Sequence, residues 1–202
     1  MSRSGQLIEV IVAAGSNLGD RDAMLKRAGA FLESISAAPA VKSSIWETDP
    51  VGPSKYPFLN AVARIVWEGT EEDMAGSSIS LLQKLKSFER ECGRPKNPER
   101  WGPRVLDLDI IAAYVLPRNH EHKEPLPHQE DLLEWQTETK KALSVQQDNL
   151  TIPHPEYSKR WFVLAPLQEI EPNWIDPIHL TPIQVMLNHA EPLTLKKTTL
   201  HW

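Results

Sequence analysis

The stretch Arg100-Trp101-Gly102-Pro103-Arg104-Val105-Leu106-Asp107-Leu108-Asp109-Ile110-Ile111 sets the strongest limit on how this chain can fold. Successive side chains of a strand point to opposite faces. Asp107 and Asp109 therefore share one face, while Leu106, Leu108 and Ile110 enter a core on the other. The stretch has to be a strand with one buried face, led in by a turn. Its glycine and proline fix the chain just where Arg100 and Arg104 must be aimed near the carboxylates. Two carboxylates at this spacing suit a hard cation. Mg²⁺ takes one or two protein carboxylates and completes its octahedron with water and phosphate oxygens, which points to phosphoryl-transfer chemistry. Arg94, Lys96, Arg100 and Arg104 supply positive charge for phosphate oxygens, and arginine's planar fork grips them in pairs. The alternative is a half-exposed strand whose aspartates form surface ion pairs with those same arginines.

A net charge of -5 argues against a nucleic-acid partner held by bulk electrostatics, so an anion site has to be a local basic cluster such as 94–104. With 202 residues, 41% of them hydrophobic, the chain can bury one substantial core. Its single cysteine, Cys92, leaves no internal disulfide and no cysteine-built zinc site. No leader-like apolar segment or run of membrane-spanning length is present in the sequence, so the expectation is a cytoplasmic protein without a membrane partner.

Residues 7–14 form a nearly continuous apolar run, the pattern of a buried first strand, ended by Gly15-Ser16-Asn17-Leu18-Gly19-Asp20. This turn lacks the lysine and spacing of a Walker phosphate loop. It reads as a tight turn whose Ser16 and Asn17 support the floor of a site, with direct ligand contact as the alternative. Asp20 is the expected N-cap of a helix carrying Met24, Leu25, Ala28, Phe31, Leu32 and Ile35, closed by Pro39. Residues 41–48 read as a second strand and 58–67 as a third, separated by a proline-rich loop. Asn60 interrupts the apolar pattern of the third, and a buried amide there needs partners. A second helix starts at Gly69-Thr70-Glu71-Glu72 and ends near Gly93, and 105–115 is the fourth strand.

Strand, helix, strand, strand, helix, strand is the order of an α+β, ferredoxin-like βαββαβ sandwich, an antiparallel sheet with both helices on one face. One domain over 7–190 is expected. It has C-terminal additions, among them a last helix at 183–189, and a long surface insertion after the fourth strand at about 116–147. There Pro117, His120, His122, Pro125, Pro127 and His128 break the pattern, and Leu132, Leu133, Trp135, Ala142 and Leu143 suit one short helix.

Taken together these segments resemble the 6-hydroxymethyl-7,8-dihydropterin pyrophosphokinase family. The motifs run in collinear order: Gly15-Ser16-Asn17-Leu18-Gly19-Asp20-Arg21, Glu47-Thr48-Asp49-Pro50-Val51-Gly52, Phe58-Leu59-Asn60-Ala61, Glu89-Arg90-Glu91-Cys92-Gly93-Arg94, the 100–111 stretch, and Ile152-Pro153-His154-Pro155 with Arg160 and Phe162. The resemblance implies a ferredoxin-like α+β sandwich. It also implies transfer of a diphosphoryl group from ATP to the hydroxymethyl oxygen of the pterin, with release of AMP, in folate biosynthesis.

By the same resemblance Asp107 and Asp109 are the ligands of two Mg²⁺ ions present with ATP, and Arg94 and Arg104 are catalytic cations beside them. Glu89, Lys96, Arg100, Trp101, Arg104, Ile110, Leu150, Thr151, His154 and Arg160 match positions that face ATP, Lys96 standing where an arginine is more usual. Thr48, Pro50, Val51, Phe58, Asn60, Trp101 and Phe162 match the pterin positions. A flat heteroaromatic ring with an amide-like edge calls for aromatic faces and an Asn amide at its rim. ATP and the pterin alcohol are thus the expected partners, with association with other folate enzymes left open. The insertion leaves the aspartate strand and returns at Asn149-Leu150-Thr151, so its two ends are expected to flank the ATP entrance. A Mg²⁺-dependent nuclease and a non-catalytic ferredoxin-like metabolite sensor are the competing readings.

Overall fold

A computed structural model of the chain describes residues 5–49, 56–70, 73–95, 102–117, 140–147, 150–190 and 194–202. Pro50, Val51, Lys96, Arg100 and Trp101 lie outside these residues, as does 118–139 with His120, His122, His128 and the helix expected around Leu132, Leu133 and Trp135. In chain order the described elements are β1 (Gln6–Ser16), α1 (Arg21–Ile35), β2 (Val41–Lys42), β3 (Trp46–Thr48), β4 (Phe58–Gly69), α2 (Met74–Glu91), β5 (Asp107–Val115), β6 (Lys141–Ala142), β7 (Val145–Gln147), β8 (Leu150–Ile152), α3 (Trp161–Ile170), α4 (Ile183–His189) and β9 (Leu195–Lys197).

The main sheet is antiparallel, in the order β6-β5-β1-β4-β3-β9 with β2 also on β4, and β7 pairs with β8 in a separate ribbon. The fold is thus mixed α and β around an antiparallel sheet. None of the described helices is long and apolar enough to cross a membrane.

β1 reads as a continuous apolar run because both of its faces are covered. Ile8, Val10, Val12 and Ala14 point to α1 and α2, where Leu25, Ala28, Leu32, Leu81 and Leu85 complete one core. Ile11 points the other way and joins Val62, Ile111 and Ala112 beneath Val163, Leu164, Leu167, Ile183 and Met186 of α3 and α4. The C-terminal helices therefore form a third layer over the second face of the sheet. That layer is pinned by Tyr157, whose hydroxyl donates to the buried Asp176 carboxylate, and by Trp174, whose ring nitrogen donates to the Tyr114 hydroxyl at 2.8 Å.

Local chemistry adjusts the expected boundaries. Asp20 caps α1 as expected, accepting from the Ala23 amide at 3.0 Å. α2 starts later than the 69–72 segment, because Asp73 is the residue whose carboxylate accepts from an amide of the first turn, that of Gly76 at 2.6 Å. The expected single strand over 41–48 is two pieces. Between them Ser43 exchanges its backbone amide and its side-chain hydroxyl with the Val62 backbone, at 2.9 and 3.0 Å.

The insertion sits differently from the expectation. β5 runs from Asp107 at one end of the sheet to Val115 at the other, and β6 returns beside Tyr114 and Val115. At ~3.3 Å per residue the insertion departs roughly 25 Å from Asp107, at the end remote from the aspartates. The return is anchored there too, by Lys140, whose buried ammonium lies 2.8 and 3.0 Å from the two Glu9 carboxylate oxygens. The departure point and the first described returning strand therefore lie at the end of β5 remote from the aspartates. Residues 141–142 and 145–147, counted with the insertion from sequence, are strands of the described fold.

Candidate active site

The strand register builds the site. Trp46, Asn60, Gly15 and Asp107 are consecutive cross-strand partners on β3, β4, β1 and β5, and Val62, Ala13 and Asp109 form the adjoining row on the same face. Neighbouring strands lie ~4.8 Å apart, so Asn60 and Asp107 stand roughly 10 Å apart across β1. Only Gly15 lies between them. A Cβ on Gly15 would come to 3.2 Å from the Asn60 side-chain oxygen and 3.8 Å from the Phe58 ring, and its absence keeps a slot open between the amide on one side and the carboxylates on the other. Asn60 is 5% exposed and its amide donates to the Thr48 hydroxyl at 2.8 Å, so the amide oxygen is oriented toward Gly15 and the slot. Phe58 pairs with Thr48 on the same face, which brings Thr48, Phe58 and Asn60 together.

Asp107 and Asp109 do share a face, with Leu106, Leu108 and Ile110 buried behind them. The same alternation carries Ile110, expected against ATP, into the helix-side core at 3% exposure, away from the slot. Leu150 is likewise buried in that core, whereas Thr151 next to it is exposed.

The turn after β1 is a scaffold for the arginine lead-in. Ser16 donates its hydroxyl to the Val105 carbonyl at 2.6 Å, and the Asn17 side-chain oxygen accepts from the Arg104 backbone amide at 2.6 Å while the Asn17 backbone amide donates to the Arg104 carbonyl at 3.0 Å. The backbone of Arg104 is thereby fixed on both sides.

The two aspartates are held unequally. Arg94 Nη1 lies 2.5 Å from Asp107 Oδ1 and Arg104 Nη1 lies 2.6 Å from its Oδ2, so both carboxylate oxygens accept from guanidinium groups. Burial by itself would raise the Asp107 pKa. Lys86 first, then Arg104 and Arg94, outweigh that and hold it below the ordinary carboxylate range. Asp109 has looser company: Lys86 Nζ at 3.4 Å and Arg160 at 3.9 Å. Arg160 also lies over the Phe162 ring, 5.8 Å from its centroid, and so links the carboxylates to the aromatic expected against the pterin.

The resemblance sets Glu89 against the nucleotide, and its side chain is fully buried. It accepts from Arg94 at 2.5 Å, Lys86 at 2.7 Å and the Leu108 amide at 2.7 Å. Burial raises its pKa despite the pull of Lys86. Its observed role is to hold the arginine and the strand that carries the aspartates. His154 follows the cis Ile152–Pro153 peptide, and its amide donates to the Ile111 carbonyl at 2.9 Å. Its Nδ1 accepts from the Glu156 amide at 3.1 Å, and burial lowers its pKa, against the attraction of Asp109. A neutral ring with its proton on Nε2 follows, and that N–H is a donor.

Sequence reading missed two contributors. In the sequence Gly15 reads as the start of a turn, and the signal that marks it is register: it is the small residue paired with both Asn60 and Asp107. Lys86 was overlooked on a helix with other surface lysines, yet its ammonium reaches Glu89, the Leu108 carbonyl, Asp109 and Asp107. A search for position i−3 from Glu89 on the same helix face would have flagged it.

As for a divalent ion, the donor set fits. The Oδ1 atoms of Asp107 and Asp109 already face one cation, Lys86 Nζ, at 3.8 and 3.4 Å, and among the described residues no third carboxylate, His or Cys joins them in a closed ligand cage. Oxygen-only donors in this number match the habit of Mg²⁺, which fills its other positions with water and phosphate.

A family model described as 7,8-dihydro-6-hydroxymethylpterin-pyrophosphokinase (HPPK) matches residues 11–172. The 2-amino-4-hydroxy-6-hydroxymethyldihydropteridine pyrophosphokinase of Bacillus subtilis is 35% identical over 161 residues, covering 79% of this chain and 75% of the relative. The Porphyromonas gingivalis protein of the same name is 31% identical over 176 residues, 86% of this chain and 97% of that one. A folate synthesis bifunctional protein of Arabidopsis thaliana is 33% identical over 163 residues, which make up 27% of its length. Among solved structures, Plasmodium falciparum HPPK-DHPS is similar in fold, with a TM-score of 0.58 at 12% identity, over 93% of this chain and 45% of that bifunctional chain.

Proposed function

The chain belongs to the 7,8-dihydro-6-hydroxymethylpterin-pyrophosphokinase family, and from that premise we propose that it transfers the β,γ-diphosphoryl group of ATP to the hydroxymethyl oxygen of 6-hydroxymethyl-7,8-dihydropterin in folate biosynthesis. The observation that carries the reading is the slot over Gly15, with an oriented amide on one side and a carboxylate pair ringed by cations on the other.

The alcohol oxygen attacks the β-phosphorus, the bond to the α–β bridging oxygen breaks, the alcohol proton is released and AMP leaves. No covalent enzyme intermediate is required, so catalysis rests on positioning and charge stabilisation. Asn60 and Thr48 supply polar partners for the pterin rim, and Phe58 and Phe162 supply aromatic faces. Asp107 and Asp109 would hold Mg²⁺, which when bound neutralises charge on the phosphate oxygens. Asp107, whose pKa is held low by Lys86, Arg104 and Arg94, serves as an oriented acceptor near the nucleophile rather than as a reservoir for its proton. Among the described residues Arg104 and Arg160 supply positive charge to the transferred group, and neutral His154 offers its Nε2–H to a phosphate oxygen. Arg94 contributes by fixing Asp107.

We further read the order β5-β1-β4-β3, with α1 and α2 on one face, as ferredoxin-like, and the protein as cytoplasmic and active with two Mg²⁺ ions. AMP measured by chromatography with ATP and Mg²⁺, with and without the pterin alcohol, tests the function. One AMP per pterin diphosphate is expected, formed only with the alcohol present. ADP as the product, AMP formed without the pterin, or no reaction would each overturn it.

A further inference from the structure

Lys86 stands in an unusual place for a helix-surface lysine. Leu85 beside it and Glu89 one turn on are fully buried, so the helix face they define lies against β5. Among the described residues, no strand neighbours this edge of β5 at Asp107–Asp109, since β6 pairs at Tyr114 and Val115. The amide and carbonyl of Leu108 face that free edge. Glu89 accepts from the amide at 2.7 Å and Lys86 donates to the carbonyl at 2.8 Å. One ion pair of α2, closed at 2.7 Å, thus stands in for the missing strand at the residue between the two aspartates.

From this anchored position the same ammonium reaches Asp109 Oδ1 at 3.4 Å and Asp107 Oδ1 at 3.8 Å. It is the one cation for which contacts to both aspartates are seen among the described residues. Arg94 and Arg104 hold Asp107, and Arg160 lies near Asp109. We propose that Lys86 is a positioning residue that serves as an internal stand-in for the divalent ion. It keeps both carboxylates turned to a common point before loading and opposes capture of a bare cation there.

The proposal rests on the reading of Asp107 and Asp109 as metal ligands. Loading shifts the ammonium off the aspartates while Glu89 and the Leu108 carbonyl retain it, so the positive charge stays close and favours an ion that arrives with phosphate oxygens. The chemistry recognised is therefore a divalent cation already carried by a polyphosphate, in preference to the free ion.

The direction of one measurement separates this role from a merely structural one. Mn²⁺ alone, without nucleotide, is titrated into the whole chain and followed by electron paramagnetic resonance at low ionic strength. Lys86→Met is expected to bind Mn²⁺ about tenfold more tightly than the unsubstituted protein, since a unit charge this near a divalent ion costs at least that much even after solvent screening. Lys86→Arg, which restores the charge, should return toward the original affinity.

A lysine needed only to hold β5 would give the opposite result, weaker binding in Lys86→Met, and equal or weaker binding overturns the proposal. Should Lys86→Met fail to fold, Lys86→Gln keeps a donor for the Leu108 carbonyl without the charge and is read the same way. Asp109→Asn tests the underlying assignment separately. Unchanged Mn²⁺ binding in that variant undoes the metal reading itself, whereas a Lys86 series without effect undoes only the stand-in. Absence of Mn²⁺ binding in all variants overturns both, while binding that emerges only in Lys86→Met supports the proposal.

Discussion

Replacing each aspartate by asparagine should abolish activity alike yet affect stability very differently. Asp107 accepts from Arg94 at 2.5 Å and from Arg104 at 2.6 Å, with its side chain 19% exposed and the guanidiniums 16% and 28% exposed. Hydrogen bonds to charged groups contribute about 1.5–3 kcal/mol each when shielded from water. Asparagine keeps one acceptor oxygen, so Asp107→Asn loses one such bond and the charge that satisfies a second arginine. Partial exposure reduces the total to about 2 kcal/mol. Asp109 is 31% exposed and its nearest cations stand at 3.4 and 3.9 Å, a geometry in which an ion pair contributes less than about 0.5 kcal/mol.

For a chain of this size 1 kcal/mol moves Tm by about 2–4 °C, so calorimetry without divalent ions should show Asp107→Asn melting about 4–8 °C lower and Asp109→Asn within about 2 °C of the original. AMP release should fall by about a hundredfold or more in both, the usual scale for loss of a transition-state charge stabiliser. Equal melting temperatures for the two variants would refute the unequal anchoring. Near-normal turnover in either at saturating Mg²⁺ would refute their shared role.

Asn60→Ala should weaken binding of the pterin alcohol about tenfold while changing that of a non-hydrolysable ATP analogue little, and Arg104→Ala should do the reverse; calorimetric titrations showing equal losses for both ligands would contradict the division of the slot. Asp176, a buried carboxylate, would be raised in pKa by burial, but it accepts from the Tyr157 hydroxyl, the Ile178 amide and His179, and the net shift is downward. Its contribution is therefore complete above the unfolded carboxylate pKa of about 3.9 and is lost as pH falls through the lower folded value. Asp176→Asn should lower stability at pH 7 by about 2 kcal/mol and flatten the acid limb below about pH 4, so denaturant curves with parallel acid limbs would count against it. Gly29→Ala, which in an open helix adds about 0.5–1 kcal/mol, should here lower Tm, because its Cβ would stand 2.7 Å from the backbone of Trp202, whose ring nitrogen donates to the Ser43 carbonyl at 2.8 Å. A raised Tm would show that this C-terminal contact yields freely.

Elements marked by a clear apolar run or a clear hydrophobic period were legible from sequence. β1, α1, β4, α2 and β5 fall where alternation or helical spacing placed them, and the shared face of Asp107 and Asp109 follows from period two alone. The third layer was less legible. Residues 161–170 are apolar nearly all round, and nothing in that composition says which face of the sheet they cover. The covering is decided by long-range contacts such as that of Trp174 with Tyr114 of β5, residues far apart in the chain. Lys86 and Gly15 escaped for a related reason. Their importance lies in what the fold sets opposite them: for Gly15 its partners on the neighbouring strands, for Lys86 the strand that its helix packs against.

The insertion shows how closeness in sequence misleads about closeness in space. Its departure point is the strand that carries the aspartates, which suggested a cover for the ATP entrance. A β-strand, however, is the most extended way to use residues, so the short step from Asp109 to Leu116 spans roughly 23 Å. A helix of the same length would have covered about 10 Å. The return strand β6 then pairs with the departure end, and Lys140 is buried against Glu9, itself salt-bridged to Arg64, which also meets Glu171 of the C-terminal layer. The described return end is thus tied into a charge network at the far end of the sheet, and the departing end is held there by the Gln6 side-chain amide, which donates to the Leu116 carbonyl at 2.5 Å. A segment so anchored acts on the site, if it acts, through β5 or through the C-terminal layer. The described half of that route is short: β8 leads through cis Ile152–Pro153 to His154, whose amide is bonded to the Ile111 carbonyl at the β5 bulge, two residues from Asp109.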